Sequence, residues 1–495
     1  MTEGTAARSA HGLRFTIETN VAGDLPFGAT RADALVTVRA RPVEQAVSDA
    51  PLAVVLVMDT SLSMADGGKL GAAREAVCAA VDALRDGTHF GIVAGNHEAR
   101  TVFPAPPAPG LVQVDAAVRK AAKQRLHTLW AEGGTTIGSW LTHAGRLLDT
   151  APPGAVRYAA LYTDGRNEHE TPARLDRVLA QCADRFVCDA RGLGDDWDYR
   201  DLLRITEALH GSARAVHLSG LTEDLTRLMR QTQQLRVPRV YLGLVLDRRF
   251  RLGSLRQTRP TDVDLTAQQQ RDGRTVHIPL GAWGAATRQY RLSLRFDADT
   301  LDIDEDLRAA SISLLAESPT GTREPCADAR PMVVRRHAYR DPLPARPEEL
   351  TRAENAHQLG RAMRECAKAH ANADFPAADQ ELRRAMALAR DLDDTARLSL
   401  LGRVATTDDQ GEAALRRDVT RGEMQRVGLE STRKSPAPAK APEPMDAVPE
   451  PWDAVPVAGP VRRVCGACGA VTEAPVVRHC ENCRRTFDDD PAEAS

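Results

Sequence analysis

Apolar runs of membrane-spanning length are missing from this 495-residue chain; the most apolar stretch, Leu52 to Met58, is strand-sized. Neither a basic nor an apolar segment follows Met1-Thr2-Glu3-Gly4. Export through a signal peptide is therefore not expected, and the sequence predicts a cytoplasmic setting. A net charge of −3 leaves no chain-wide footprint for nucleic acid. Lysine is scarce beside arginine, a bias of genome composition rather than of chemistry. Enzyme fingerprints are lacking too: no Gly-x-x-x-x-Gly-Lys-[Ser/Thr] or Gly-x-Gly-x-x-Gly follows any strand, and no Gly-x-Ser-x-Gly elbow or His-Glu-x-x-His helix occurs. Ser61 and Ser63 have no histidine placed by sequence to activate them, so no enzymatic activity is expected.

What the chain does contain is a set of oxygen-bearing side chains at three separated places: Asp59, Ser61 and Ser63, then Thr135, then Asp164. The first three directly follow Leu52 to Met58, which reads as a strand buried on both faces. They leave its carboxyl end, where open parallel α/β sheets bind ligands at the reversal of strand order. Two carboxylates and three hydroxyls are hard donors, suited to Mg²⁺ or Mn²⁺ rather than to zinc or copper.

The pattern Asp-x-Ser-x-Ser at 59–63, the turn Gly133-Gly134-Thr135-Thr136 and Thr163-Asp164-Gly165 resemble the von Willebrand factor A-type (VWA) domain. In that family such residues form a metal-ion-dependent adhesion site, and all five positions match. The resemblance implies that Ser61 and Ser63 ligate the metal directly, that Thr135 joins when ligand is bound, and that Asp59 and Asp164 act directly or through water.

Nine cysteines divide into two groups. Cys78, Cys182, Cys188, Cys326 and Cys366 are scattered through helical or strand-like sequence and read as buried small hydrophobes in a reducing compartment. Cys465, Cys468, Cys480 and Cys483 form two Cys-x-x-Cys pairs separated by eleven residues, close to the spacing of zinc sites. This part resembles a zinc ribbon, in which Zn²⁺ would supply on the order of 10 kcal/mol of folding free energy; a disulfide pair or a rubredoxin-like iron site are the alternatives. His479 exceeds the four ligands needed and reads as a surface or supporting residue.

Hydrophobic periodicity divides the chain further. Residues 13–50 hold two strands of a β-sandwich, including Leu13 to Thr19 and Ala34 to Ala40. Residues 51–234 alternate strands with helices and read as a doubly wound α/β domain. Its predicted strands are Leu52 to Met58, His89 to Ala94, Tyr158 to Tyr162, Arg185 to Ala190 and Ala213 to Leu218; Lys69 to Leu84 and Val114 to Leu129 are predicted helices. Residues 237–340 return to a period of two, so the α/β domain is expected to be inserted in, or flanked by, an antiparallel β-sandwich. Residues 347–432 read as a helical hairpin or bundle, 433–460 as a Pro-rich disordered tether and 461–490 as the ribbon. Within the tether, Asp446-Ala447-Val448-Pro449 recurs as Asp453-Ala454-Val455-Pro456, which fits a docking peptide or low-complexity drift. The acidic runs Asp195-Asp196 and Asp488-Asp489-Asp490 read as solvated charge.

Two functional readings follow. In the first, the protein is a scaffold whose metal, kept electrophilic by neutral hydroxyl ligands, captures a Glu or Asp of a partner protein. Bacterial intracellular proteins joining such a domain to a zinc module resemble components of tellurite-resistance-like or MoxR-associated systems, which implies a kinase and phosphatase pair or a MoxR-type AAA+ ATPase as partners. In the second, the ribbon handles nucleic acid through Arg462, Arg463, Arg478, Arg484 and Arg485, as the A-type domain of RNA-binding Ro-like proteins suggests. Against it, only Phe487 nearby is suited to base stacking.

Overall fold

The computed structural model describes residues 9–43, 50–106, 108, 110–318, 321–338, 346–407 and 411–433, together with the backbone of the strands Val461–Val464 and Val471–Ala474. The chain divides into two units, Met1–Ser435 and Pro436–Ser495.

In the first unit Leu52–Asp59 is the central strand of a seven-stranded sheet. It pairs in parallel with His89–Gly95 on one side and Val156–Thr163 on the other. Val187–Leu193 and then Ala213–Val216 extend the sheet beyond Val156–Thr163. Ala99–Phe103 closes the opposite edge in antiparallel sense. The continuous apolar run 52–58 follows from burial on both faces: Ala53, Val55 and Val57 enter one core layer, and Val54, Leu56 and Met58 the other. Lys69–Ala83, Ala116–Leu126 and Leu221–Thr232 bury residues in the second layer, and Ile137–Leu148, Pro172–Cys182 and Tyr199–Ala208 in the first.

The strands on either side of this domain form two further sheets around a separate core. Leu13–Ala22 pairs with Arg31–Pro42, and Arg31–Pro42 with Ala286–Phe296, ten residues in register from Ala40↔Ala286 to Arg31↔Arg295. The second sheet is built on Val240–Leu246 between Thr275–Pro279 and Asp306–Glu317. Alternate residues such as Leu13, Phe15 and Ile17 turn into the shared core, which the period of two requires.

Glu348–Ala371, Phe375–Asp391, Thr395–Val404 and Arg421–Glu430 are helices, joined with a short hairpin of Ala405–Thr407 and Ala413–Leu415. The helices expected in 347–432 are present, and they pack into the core of the α/β domain. Leu359, Met363, Leu382 and Val427 belong to the same apolar cluster as Trp140 and Leu202 of the α/β domain. The Tyr199 amide donates to Gln425 Oε1 at 2.8 Å, and the His357 Nδ1–Asp262 Oδ2 hydrogen bond (2.8 Å) and the Arg291–Glu354 ion pair tie the helices to the β-sheets. Such cross-contacts leave no trace in a helical periodicity.

Several element boundaries also shift: the strand expected to reach Leu218 ends at Val216, and the helix expected to reach Leu129 ends at Leu126. The strand expected at Arg185 to Ala190 runs from Val187 to Leu193, because Arg191 stays in the strand with 3% exposure, bonded to Asp224 at 2.8 Å. The helix expected from Val114 starts at Ala116, because the Asp115 carboxylate accepts from the Val118 amide and caps it. Among the described residues no helix is long and apolar enough to cross a membrane.

The second unit shows the antiparallel pair Val461–Val464 and Val471–Ala474. Cys465, Cys468, Cys480, Cys483, His479, Arg478, Arg484, Arg485, Phe487, residues 488–490 and the tether from 434 to 460 lie outside the described residues.

Candidate metal centre

Strand order reverses at Leu52–Asp59: the chain next builds His89–Gly95 on one side, then crosses to Val156–Thr163 on the other. The carboxyl ends of Leu52–Asp59 and Val156–Thr163 thus meet at the switch point, and they deliver Asp59 and Asp164 together. Both carboxylates have 0% exposure, while Ser63 is half-buried.

Backbone hydrogen bonds bring in the third segment. The Leu62 amide donates to Gly133 O at 2.9 Å and the Glu132 amide to Thr60 O at 2.9 Å, stitching the loop after Asp59 to the Gly133-Gly134 turn. The Thr136 amide and the Trp140 indole both donate to Asn96 O, at 3.2 and 2.7 Å. Trp140 packs so closely on Gly95 that a Cβ there would lie 2.3 Å from its ring. The start of Ile137–Leu148 is held from outside: the Ile137 amide donates to Asn167 Oδ1 at 2.9 Å and the Gly138 amide to Glu170 Oε2 at 2.8 Å.

The five predicted residues come together. Ser63 Oγ donates to Asp164 Oδ1 at 2.6 Å and lies 3.0 Å from Ser61 Oγ. A Cβ placed on Gly165 would sit 3.0 Å from Thr135 Oγ1, 3.4 Å from Ser63 Oγ and 3.8 Å from Asp59 Oδ2, so oxygens from all three segments face one small space. Asp59 accepts from the Ser61 amide at 2.7 Å and from Thr163 Oγ1 at 2.6 Å. Burial raises its pKa to about 6, partly offset by the Ser61 and Thr163 hydrogen bonds, with the Asp164 charge adding to the rise.

These residues fit a hard divalent cation. The donors are all oxygen, and Asp59 is a fully buried carboxylate with no Lys or Arg ion pair among the described residues. Lys69, a cation beside these residues, is committed to Asp164, with Nζ 2.6 Å from Oδ2. Burial opposes its charge, but the hydrogen bond and charge of Asp164 prevail and hold the ammonium pKa above its ordinary value.

Sequence reasoning missed several residues of this site. Thr163 was read only as part of a motif and proves to be a donor to Asp59. Asn167 and Glu170 carried no signal, because they act on helix amides 30 and 32 residues away. Lys69 did carry one: a cation in the first turn of a helix opposes the helix dipole and calls for a local anion. Asp195, read as solvated charge, is paired with Arg426 at 2.8 Å although its side chain stays 61% exposed.

Comparison with known proteins follows the same geometry. Residues 52–215 match the family model for the von Willebrand factor type A domain. This segment is a VWA domain. VWA domains are generally protein-interaction modules. The chain is also similar to a solved von Willebrand factor type A protein from Catenulispora acidiphila, with 28% identity, a TM-score of 0.80, and coverage of 88% of this chain and 99% of that one. The ArnB paralog VWA2 from Sulfolobus acidocaldarius shares the fold at 12% identity, with a TM-score of 0.52 over 85% of this chain and 98% of that one. The uncharacterized protein sll0103 of Synechocystis sp. is 28% identical over 236 residues, which span 47% of this chain and 54% of that protein.

Proposed function

We propose that the protein is a cytoplasmic, non-catalytic scaffold whose VWA domain binds a partner protein through a metal-bridged carboxylate. Asp59, Ser61, Ser63, Thr135 and Asp164 would hold Mg²⁺ or Mn²⁺, and the cation would supply an electrophilic position for a Glu or Asp of the partner. The observation that carries this reading is the convergence of oxygens from all three segments beside a buried Asp59 that has no Lys or Arg ion pair among the described residues. Two of the exposed large apolar side chains lie in the same loops. Leu62, 64% exposed, stands between Ser61 and Ser63, and Trp130, 57% exposed, stands two residues before the Glu132 amide bonded to Thr60. Exposed apolar side chains beside a charged centre suit a protein partner rather than a small hydrophilic ligand. In the same reading, Cys465, Cys468, Cys480 and Cys483 hold Zn²⁺ as a folding element of the carboxyl-terminal module.

The test is affinity capture from native lysate with the wild-type chain and with an Asp59→Ala, Ser61→Ala double variant, each with Mg²⁺ and in Mg²⁺-free buffer without chelator, so that any zinc stays in place. A partner retained only by wild type with Mg²⁺ is the expected result. A kinase, a phosphatase or a MoxR-type ATPase recovered in this way would tie the protein to the systems its domain combination resembles. The same proteins retained under all four conditions would sink the reading.

A further inference from the structure

Lys69 is one of only six lysines in the chain. It opens the Lys69–Ala83 helix, where a cation opposes the helix dipole, and its ammonium turns instead to the metal centre. Nζ lies 2.6 Å from Asp164 Oδ2 and 3.5 Å from Ser63 O. The Lys69 side chain is 18% exposed and that of Asp164 0%, so this is a largely desolvated pair rather than a surface ion pair. The loop after Val187–Leu193 passes beside the side chain, with Lys69 Cε 3.8 Å from where a Gly194 Cβ would sit.

The charges decide what Lys69 does. Counting the two acidic donors and Lys69 alone, ionised Asp59 and Asp164 give −2 and Lys69 brings the set to −1, with Asp66 and Asp196 also acting on the ammonium. A divalent cation then takes it to +1; without Lys69 the loaded centre would be neutral. We infer that Lys69 is a resident cation of the centre, holding Asp164 in place before a divalent cation arrives, moderating divalent affinity, and leaving the loaded centre positive enough to draw a carboxylate. The inference rests on the metal reading above and adds a residue that is not itself a ligand. It positions Asp164 through one oxygen, while Ser63 holds the other.

The experiment is Mn²⁺ titration by calorimetry of the full chain as wild type, Lys69→Met, Lys69→Gln and Lys69→Arg, with Asp59→Ala as the baseline lacking the centre. Lys69→Gln keeps a hydrogen-bond donor and loses the charge, so it reports on charge even where Lys69→Met fails to fold. Lys69→Met and Lys69→Gln are expected to bind Mn²⁺ roughly tenfold more tightly than wild type, from loss of one like charge a few ångströms away in a partly screened site. Lys69→Arg should stay near wild type. In the Mn²⁺-loaded proteins, sodium acetate should displace metal-bound water, read by water-proton relaxation, at several-fold lower concentration for wild type and Lys69→Arg than for the two neutral variants. Equal or weaker Mn²⁺ binding in Lys69→Gln would overturn the inference. Wild-type binding no different from Asp59→Ala would instead remove the metal reading itself.

Discussion

A carboxylate sealed in a low-dielectric site holds its proton more tightly than one in water, and Asp59 is in that position, with a pKa raised to about 6 against 3.8 in the ordinary state. The folded, metal-free protein therefore binds more protons than the unfolded chain between about pH 4 and pH 6. The Asp59 contribution to stability is fully present below pH 4 and is lost as pH rises through 6. Divalent cations need the ionised form, so affinity should rise over the same window. Thermal midpoints of wild type and Asp59→Asn in metal-free buffer from pH 4 to 7 check this. The expectation is that the wild-type midpoint falls relative to the variant as pH rises, while Mn²⁺ affinity of wild type increases; parallel midpoint curves would contradict the burial argument.

At the level of elements, the centre depends on how the Ile137–Leu148 helix begins. Its first amides are satisfied by Asn167 and Glu170, which hang from the loop after Val156–Thr163, and the His169 amide of that loop donates to Thr135 O at 3.3 Å. Two of the three segments of the centre are thereby fixed to each other. Glu170→Ala should cost about 1–3 kcal/mol by leaving the Gly138 amide without its charged acceptor, and should weaken Mn²⁺ binding by loosening Thr135. Glu170→Gln should restore most of both. Chemical denaturation with parallel Mn²⁺ titration reads the two effects; a stability loss with unchanged Mn²⁺ affinity would show that the helix start does not position Thr135.

Across the whole first unit, the helices after residue 347 share apolar packing with the VWA domain, with Met363 and Leu359 fully buried in the cluster that holds Trp140. A shared core couples stabilities. Met363→Ala is expected to cost about 2–5 kcal/mol and to lower one common unfolding transition. Calorimetry of the full chain tests this: two transitions, with only one shifted by the substitution, would mean that the helices unfold independently.

Much of the candidate centre was legible in sequence because its proposed donors stand next to elements with unmistakable patterns. Leu52 to Met58 reads as a doubly buried strand, so Asp59 had to lie at its end, and the Gly-Gly turn and Thr163-Asp164-Gly165 mark two further strand or helix boundaries. Alternation in 13–19 and 34–40 likewise named strands, since a period of two depends on one buried face and on nothing distant. Only the tertiary structure decided what depends on neighbours far along the chain. It put Lys69 on Asp164 across 95 residues, kept Arg191 inside a strand through Asp224, and merged the late helices with the α/β core. Local periodicity records which face of an element is buried, whereas a buried charge or a shared core is settled by the partner that meets it.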